Sequence, residues 1–234
     1  MEAVILAGGL GTRLQGVIGE APKCMAPING LPFLSYLFEY LEKQRCTRII
    51  LSLGYKNKPI IDWLEEQDIF FELDYIVENE PLGTGGGILA ALEECETDDV
   101  VVINGDTMFD VNLRQMMLFH QSNNAQTTLA LKEMHNFDRY GIVNTNDAGL
   151  ITSFEEKQQR ESGLINGGIY VIDREAFIER KLPNKFSFEK DYLERYTNDK
   201  KFYGYKSDGY FIDIGVPADY EQAQQDFKTK YKGY

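Results

Sequence analysis

Short apolar runs alternate with stretches of helical spacing through the first half of the chain, and this alternation restricts the fold more than any other feature. Residues 3–7 form an apolar run that ends in glycines, and residues 48–53, 71–77 and 99–103 read as further strands. Between them, residues 33–42, 60–66 and 87–94 carry the pattern of helices. Strands alternating with helices build βαβ units, so the expected class is α/β, with a mostly parallel sheet covered by helices on both faces. Ligands of such sheets sit at the carboxyl ends of the strands, where the loops at Gly8 and Asp106 are expected. The second half is richer in strand signals, at residues 127–134, 141–144, 150–154, 169–172 and 210–214. These are expected to extend the sheet and wall the far side of the site. Residues 217–228 read as a closing helix, with Pro217 near its start and lysines late.

Nothing in the sequence divides the chain. It has no low-complexity segment, no solenoid-length repeat and no Pro/Gly/Ser linker, so a single domain over residues 1–234 is expected. The 24 Lys and Arg against 37 Asp and Glu give a net charge of −13. That charge argues against nucleic acid or an anionic membrane as the main partner, yet a small polyanionic substrate needs only a few local cations. Cys24, Cys46 and Cys95 are widely spaced and form no CxxC, which suggests neither a disulfide framework nor a zinc site. His120 and His135 are the only histidines, and no GxSxG is present, so a His-based hydrolase is not indicated. The start lacks a basic n-region, no apolar run reaches 18 residues, and a reduced cytoplasm is the expected setting.

The sharpest local signal is the run LAGGLGTRL from Leu6 to Leu14, directly after the first strand. Gly8, Gly9 and Gly11 let the backbone approach a ligand and turn N–H groups toward phosphate oxygens, and Arg13 offers a fork for a phosphate. The spacing is neither GxxxxGK[ST] nor GxGxxG, and a plain strand-to-helix turn is the alternative. Lys23, between Pro22 and Pro27, is held in a stretch expected to be extended and stiff. The segment from Glu78 to Gly87 is too glycine-rich for a simple turn; its N–H groups could cover a base or a phosphate. Glu78 has the chemistry to accept two parallel hydrogen bonds from guanine, although a solvated strand-end acid is an equal reading. Asp106, at a strand's carboxyl end, and Asp213, between apolar neighbours, are candidate Mg²⁺ ligands. A strand-end cap and a buried salt bridge are the structural alternatives. Glu156 and Lys157 follow one strand and Asn166 and Gly167 precede another, each a weak candidate for a sugar phosphate.

In combination these segments resemble the sugar-1-phosphate nucleotidyltransferases. LAGGLGTRL, a PK ten residues later, EPLGTGGG, NGD, EEK, NGGIY and DIG followed by proline occur in that order over residues 2 to about 225. Within the family, PKCMAPINGLPFL, FDRYGIV, LINGGIYVI, KFSFE and YFIDIGVPADY are most similar to the guanylyltransferases of D-glycero-α-D-manno-heptose 1-phosphate. The resemblance implies a Rossmann-like three-layer α/β/α fold with a mixed, mostly parallel central sheet. It implies that a sugar 1-phosphate attacks the α-phosphorus of GTP, giving GDP-heptose and pyrophosphate for surface polysaccharide synthesis. A mannose 1-phosphate guanylyltransferase, a UTP or dTTP enzyme and a catalytically silent nucleotide-sugar sensor are the alternatives.

The resemblance also carries roles residue by residue. Leu6, Gly8, Gly9, Gly11 and Thr12 would line the nucleotide, with Arg13 and Lys23 on its phosphates and Glu78 and Gly83 at the base. Asp106 and Asp213 would hold Mg²⁺, with Arg13, Lys23 and Asp106 as the catalytic set. Tyr140, Gly141, Glu156, Asn166 and Gly167 would touch the sugar, and Lys157 its phosphate. A homodimer is an expectation from relatives. Two positions depart from the pattern: Cys24, where proline is commoner, and Gly87, where alanine is commoner.

Overall fold

The structure is a computed structural model that describes residues 1–9, 14, 16, 19, 21–54, 56–231 and 233. In chain order the elements are β1 (Glu2–Leu6), the short strands β2 (Pro27–Ile28) and β3 (Leu31–Pro32), α1 (Phe33–Lys43), β4 (Arg48–Leu53) and α2 (Lys58–Glu65). Next come β5 (Glu72–Val77), α3 (Gly83–Glu93), β6 (Asp99–Asn104), β7 (Thr107–Phe109), α4 (Leu113–Ser122) and β8 (Thr127–Phe137). The chain continues through β9 (Ile142–Thr145), β10 (Ile151–Glu155), β11 (Arg160–Asp173) and α5 (Arg174–Ile178). It closes with β12 (Phe202–Lys206), β13 (Phe211–Asp213) and α6 (Pro217–Lys230).

The main sheet runs β10-β9-β11-β6-β1-β4-β5, with β8 beside β11 and β12 beside β8. β6, β1, β4 and β5 are mutually parallel, and β11 joins β6 antiparallel. β1, β4 and β6 are apolar through their centres because both faces are covered, whereas β5, at the sheet edge, leaves Glu72, Asp74 and Tyr75 exposed. Ala3, Ile5, Ile49, Leu51, Val101 and Ile103 face the side packed by α1, α2, α4 and α6. Val4, Ile50, Val100 and Val102 face α3 and α5. Successive side chains of one strand thus enter opposite cores, the period-two geometry of a strand between two helical layers. The mixed α/β architecture agrees with the sequence expectation.

Three differences have physical causes. α3 begins at Gly83, not at residue 87. Glycine disfavours helix, but here the bare faces admit a crossing segment: a Cβ on Gly85 would lie 2.2 Å from the Phe186 ring, and one on Gly86 2.2 Å from the Asn184 carbonyl oxygen. The strand read at residues 169–172 is the last part of β11, which passes through Asn166-Gly167-Gly168 without ending. Its register against β8 shifts between Asn166 and Tyr170, so the NGG run is a bulge inside a strand. The stretch at Lys23 is not extended throughout: after Pro22, Lys23–Met25 form one 3-10 turn.

Candidate functional site

The carboxyl ends of the parallel strands open into two cavities that share a boundary. The first, of about 410 Å³, is bounded by the turn after β1, the ends of β4 and β5, and the start of α3. Leu6, Gly8, Gly9, Glu78 and Gly83 line it, as does Asp106. The second, of about 450 Å³, lies under β9, β10, β11 and β13. Tyr140, Gly141, Glu156, Lys157, Asn166, Gly167 and Asp213 line that one. Lys23 and Asn104 line both. Gly11, Thr12 and Arg13 lie outside the described residues.

The boundary is built around two acids and a lysine. Asp106 sits in the turn after β6, where the Gly105 N–H donates to the Leu6 carbonyl at 3.0 Å and fixes the turn against β1. The Lys23 Nζ is 2.7 Å from Asp106 Oδ2, and both side chains are about three-quarters covered, with 23% and 26% exposure. The Asp106 carbonyl accepts the Ile214 N–H at 3.0 Å, and β13 pairs with β7 so that Asp213 faces Thr107. Asp213 is thereby held close to Asp106, and its Oδ1 accepts the Gly215 N–H at 2.8 Å. Burial and the neighbouring Asp106 charge push the Asp213 carboxyl above the usual aspartate range, against the pull of Lys23 and Arg139. Two hard carboxylates that repel each other in a polar cleft are a donor set suited to Mg²⁺, which takes one or two carboxylates and completes its shell with water and phosphate oxygens.

At the far end of the first cavity, Glu78 is tied to its own loop. Its Oε2 accepts the Leu82 N–H at 3.0 Å, and Ser52 Oγ donates to Oε1 at 3.4 Å. The space it occupies exists because residue 87 has no side chain: a Cβ on Gly87 would lie 2.9 Å from Glu78 Oε1 and 2.8 Å from Ser52 Oγ. The first N–H groups of α3 are also partly committed, since Gly85 donates to the Phe186 carbonyl at 3.1 Å. Cys24 lines the first cavity as a buried thiol, pushed up to about 12 by burial and by Asp106.

In the second cavity, Lys157 has no ion-pair partner among the described residues, and it follows directly on β10. Asn166 Nδ2 donates to the Tyr170 hydroxyl at 2.9 Å, while its Oδ1 accepts the Gly168 N–H at 3.0 Å. The β11 bulge therefore places an amide and a phenol on the cavity floor. Sequence reasoning passed over several lining residues. Arg139, paired with Asp219 at the start of α6, stands directly before Tyr140 in FDRYGIV, and Asn104 stands in NGD beside Asp106. Both were legible as motif neighbours. Ser187 and Glu189 come from a segment distant in sequence, and the KFSFE motif was their one signal.

The family model described as Nucleotidyl transferase matches residues 2–230. The chain belongs to the nucleotidyl transferase family. It is 49% identical to the D-glycero-alpha-D-manno-heptose 1-phosphate guanylyltransferase of Aneurinibacillus thermoaerophilus, over 97% of this chain and 99% of that protein. It is 46% identical to the protein of the same name from Campylobacter jejuni, over 94% of this chain and 97% of that one. Among solved structures, HddC from Yersinia pseudotuberculosis superimposes with a TM-score of 0.88 at 41% identity, covering 97% of this chain and 99% of that one. The same protein complexed with GMP-PN gives 0.86 at 40% identity, with the same coverage. Among the described residues, no helix of this nucleotidyl transferase is long and apolar enough to cross a membrane.

Proposed function

We propose that this protein transfers GMP from GTP to D-glycero-α-D-manno-heptose 1-phosphate, releasing pyrophosphate and GDP-heptose. The observation that carries the proposal is the meeting of two cavities at Lys23, whose Nζ is paired with Asp106. One cavity is lined by glycines suited to a nucleotide and the other by groups suited to a sugar phosphate. The names of the two near-full-length relatives, and the GMP-PN bound to HddC, support guanine and heptose over the other members of the family.

In this reading Leu6, Gly8 and Gly9 bound the nucleotide, together with Gly11 and Thr12, and Gly83 and Glu78 lie at the base. Asn166 and Tyr140 hold sugar hydroxyls beside Gly141, Gly167 and Glu156, and Lys157 meets the sugar phosphate. That phosphate is already an anion near neutral pH, so attack on the α-phosphorus needs positioning and charge neutralisation, not a general base. An oxygen of the sugar phosphate forms the new bond to the α-phosphorus as the bond to pyrophosphate breaks. Lys23 and Arg13 offset the charge of the two anions as they are brought together. Asp106 and Asp213 would hold Mg²⁺, which when bound supplies Lewis-acid stabilisation of charge on phosphoryl oxygens. A single nucleotidyltransferase domain, a cytoplasmic setting and a homodimer belong to the same proposal. The test is product analysis: GTP and the heptose 1-phosphate are expected to yield GDP-heptose by mass spectrometry with equimolar pyrophosphate. Absence of both products from folded protein with Mg²⁺ refutes the proposal.

A further inference from the structure

The segment that crosses α3 connects the two cavities through one carboxylate. Thr84, on the first turn of α3, lines the nucleotide cavity, whereas Ser187 and Glu189 line the sugar cavity. The Thr84 hydroxyl donates to Glu189 Oε2 at 3.0 Å and accepts the Phe188 N–H at 2.9 Å. The Ser187 hydroxyl donates to the same Oε2 at 3.1 Å. The bond from the Phe186 N–H to the Leu82 carbonyl, 3.0 Å long, clamps this segment to the glycine face of α3. Two hydroxyls thus pin one oxygen of Glu189, and among the described residues no donor meets the other, Oε1. Of the other acids lining this cavity, Glu155 is taken by Arg160 and Asn144 and Asp213 sits beside Asp106, while Glu156 and Glu194 lack, among the described residues, the pair of hydroxyls that fixes Glu189.

We propose that Glu189 is a specificity-determining residue of the sugar cavity, whose Oε1 accepts a hydroxyl of the bound sugar while Thr84 positions it from the nucleotide side. This rests on the sugar 1-phosphate reading above. A carboxylate repels the phosphate end of such a substrate, so the group it can take is a hydroxyl. An acceptor already fixed by two donors pays little ordering entropy on binding and discriminates better than a mobile one. The location of Thr84 gives the idea an unusual consequence: a side chain on the nucleotide wall governs affinity for the sugar.

The experiment measures KM for both substrates by pyrophosphate release, on wild type first, with GTP and the heptose 1-phosphate or whichever nucleotide and sugar 1-phosphate the wild type uses best. Failure of wild type to turn over any pair sinks the functional reading and this inference with it. Given turnover, Glu189→Ala is expected to raise the sugar KM about 10-fold, the loss of one charge-assisted hydrogen bond, with the GTP KM within about 2-fold. Glu189→Gln keeps the side-chain volume, gives the same split, and serves if the alanine variant does not fold. Thr84→Val is expected to raise the sugar KM more than the GTP KM, and Thr84→Ser to restore it. A sugar KM within about 2-fold of wild type in folded Glu189 variants, or equal rises for both substrates in Thr84→Val, overturns the proposal.

Discussion

Replacing Lys23 by alanine separates catalysis from stability more cleanly than any other single change in the site. The ammonium lies 2.7 Å from Asp106 Oδ2, yet about a quarter of each side chain stays exposed. A partly solvated pair of this kind contributes about 0.2–1 kcal/mol to folding, which for a chain of this size is a melting shift of at most ~4 °C. Its removal also leaves the Asp106 and Asp213 charges facing each other, a repulsion that Asp213 relieves by taking up a proton more readily. Catalysis depends on Lys23 far more strongly, because it stands where both cavities meet and two phosphates must approach. Loss of one such electrostatic donor costs about 3 kcal/mol in the transition state, a fall in turnover of at least ~100-fold. Initial rates of pyrophosphate release at saturating substrates measure the first quantity, and thermal unfolding by circular dichroism the second. Lys23→Arg keeps the charge but changes its geometry, and is expected to fall between. Turnover of Lys23→Ala within about 5-fold of wild type, with an unchanged melting temperature, would remove Lys23 from the mechanism.

Three further outcomes are expected. Gly87→Ala places a methyl group 2.9 Å from Glu78 Oε1 and 2.8 Å from Ser52 Oγ, so the carboxylate must move. The GTP KM should rise about 3-fold to 10-fold while the sugar KM holds, and equal values for both variants would show that Glu78 does not read the base. Turnover should vanish after exhaustive chelation and return with added Mg²⁺; undiminished turnover in chelator would exclude the metal role of Asp106 and Asp213. Glu2 gives a pH signature of stability. Burial pushes its carboxyl up, but the Thr97 N–H, Arg48, the Glu96 N–H and the Thr97 hydroxyl together hold it below the ordinary value of 4.5. A depressed carboxyl stabilises above its unfolded value and loses that contribution as pH falls through the folded one. Glu2→Gln should therefore cost about 2 kcal/mol at pH 7, and urea midpoints should show the gap narrowing below about pH 4.5. A gap independent of pH would contradict the assignment.

How far the sequence could be read followed from what each signal depends on. β1, β4 and β6 were legible because burial on both faces forces apolar runs, the edge strand β5 because Phe71, Leu73, Tyr75 and Val77 alternate, and α1 because its apolar stripe has helical spacing. The glycine runs were read only in part. GTGGG was legible as opening a helix, but its start at Gly83 was not, because tertiary packing against residues 184–188 offsets poor propensity; NGG passes through a strand as a bulge. α4 and β12 were not read at all; the first carries Leu113, Met116 and Met117 at helical spacing and was legible, whereas the second is a short strand whose partner, β8, is far away in sequence. For the site, motif order located Lys23, Asp106, Asp213 and the described lining residues on the walls of two adjoining cavities. The pinning of Glu189 by Thr84 and Ser187 was invisible, because it joins positions more than a hundred residues apart across a contact that no local pattern encodes.

The central claim is that one cavity selects GTP, the other selects a heptose 1-phosphate, and Lys23 with Asp106 brings them to reaction. It is tested most directly by kcat/KM for pyrophosphate release across GTP, UTP, CTP, ATP and dTTP, each paired with heptose, mannose and glucose 1-phosphates. A single maximum is expected at GTP with D-glycero-α-D-manno-heptose 1-phosphate. A maximum at UTP or dTTP, or at mannose or glucose 1-phosphate, would contradict it.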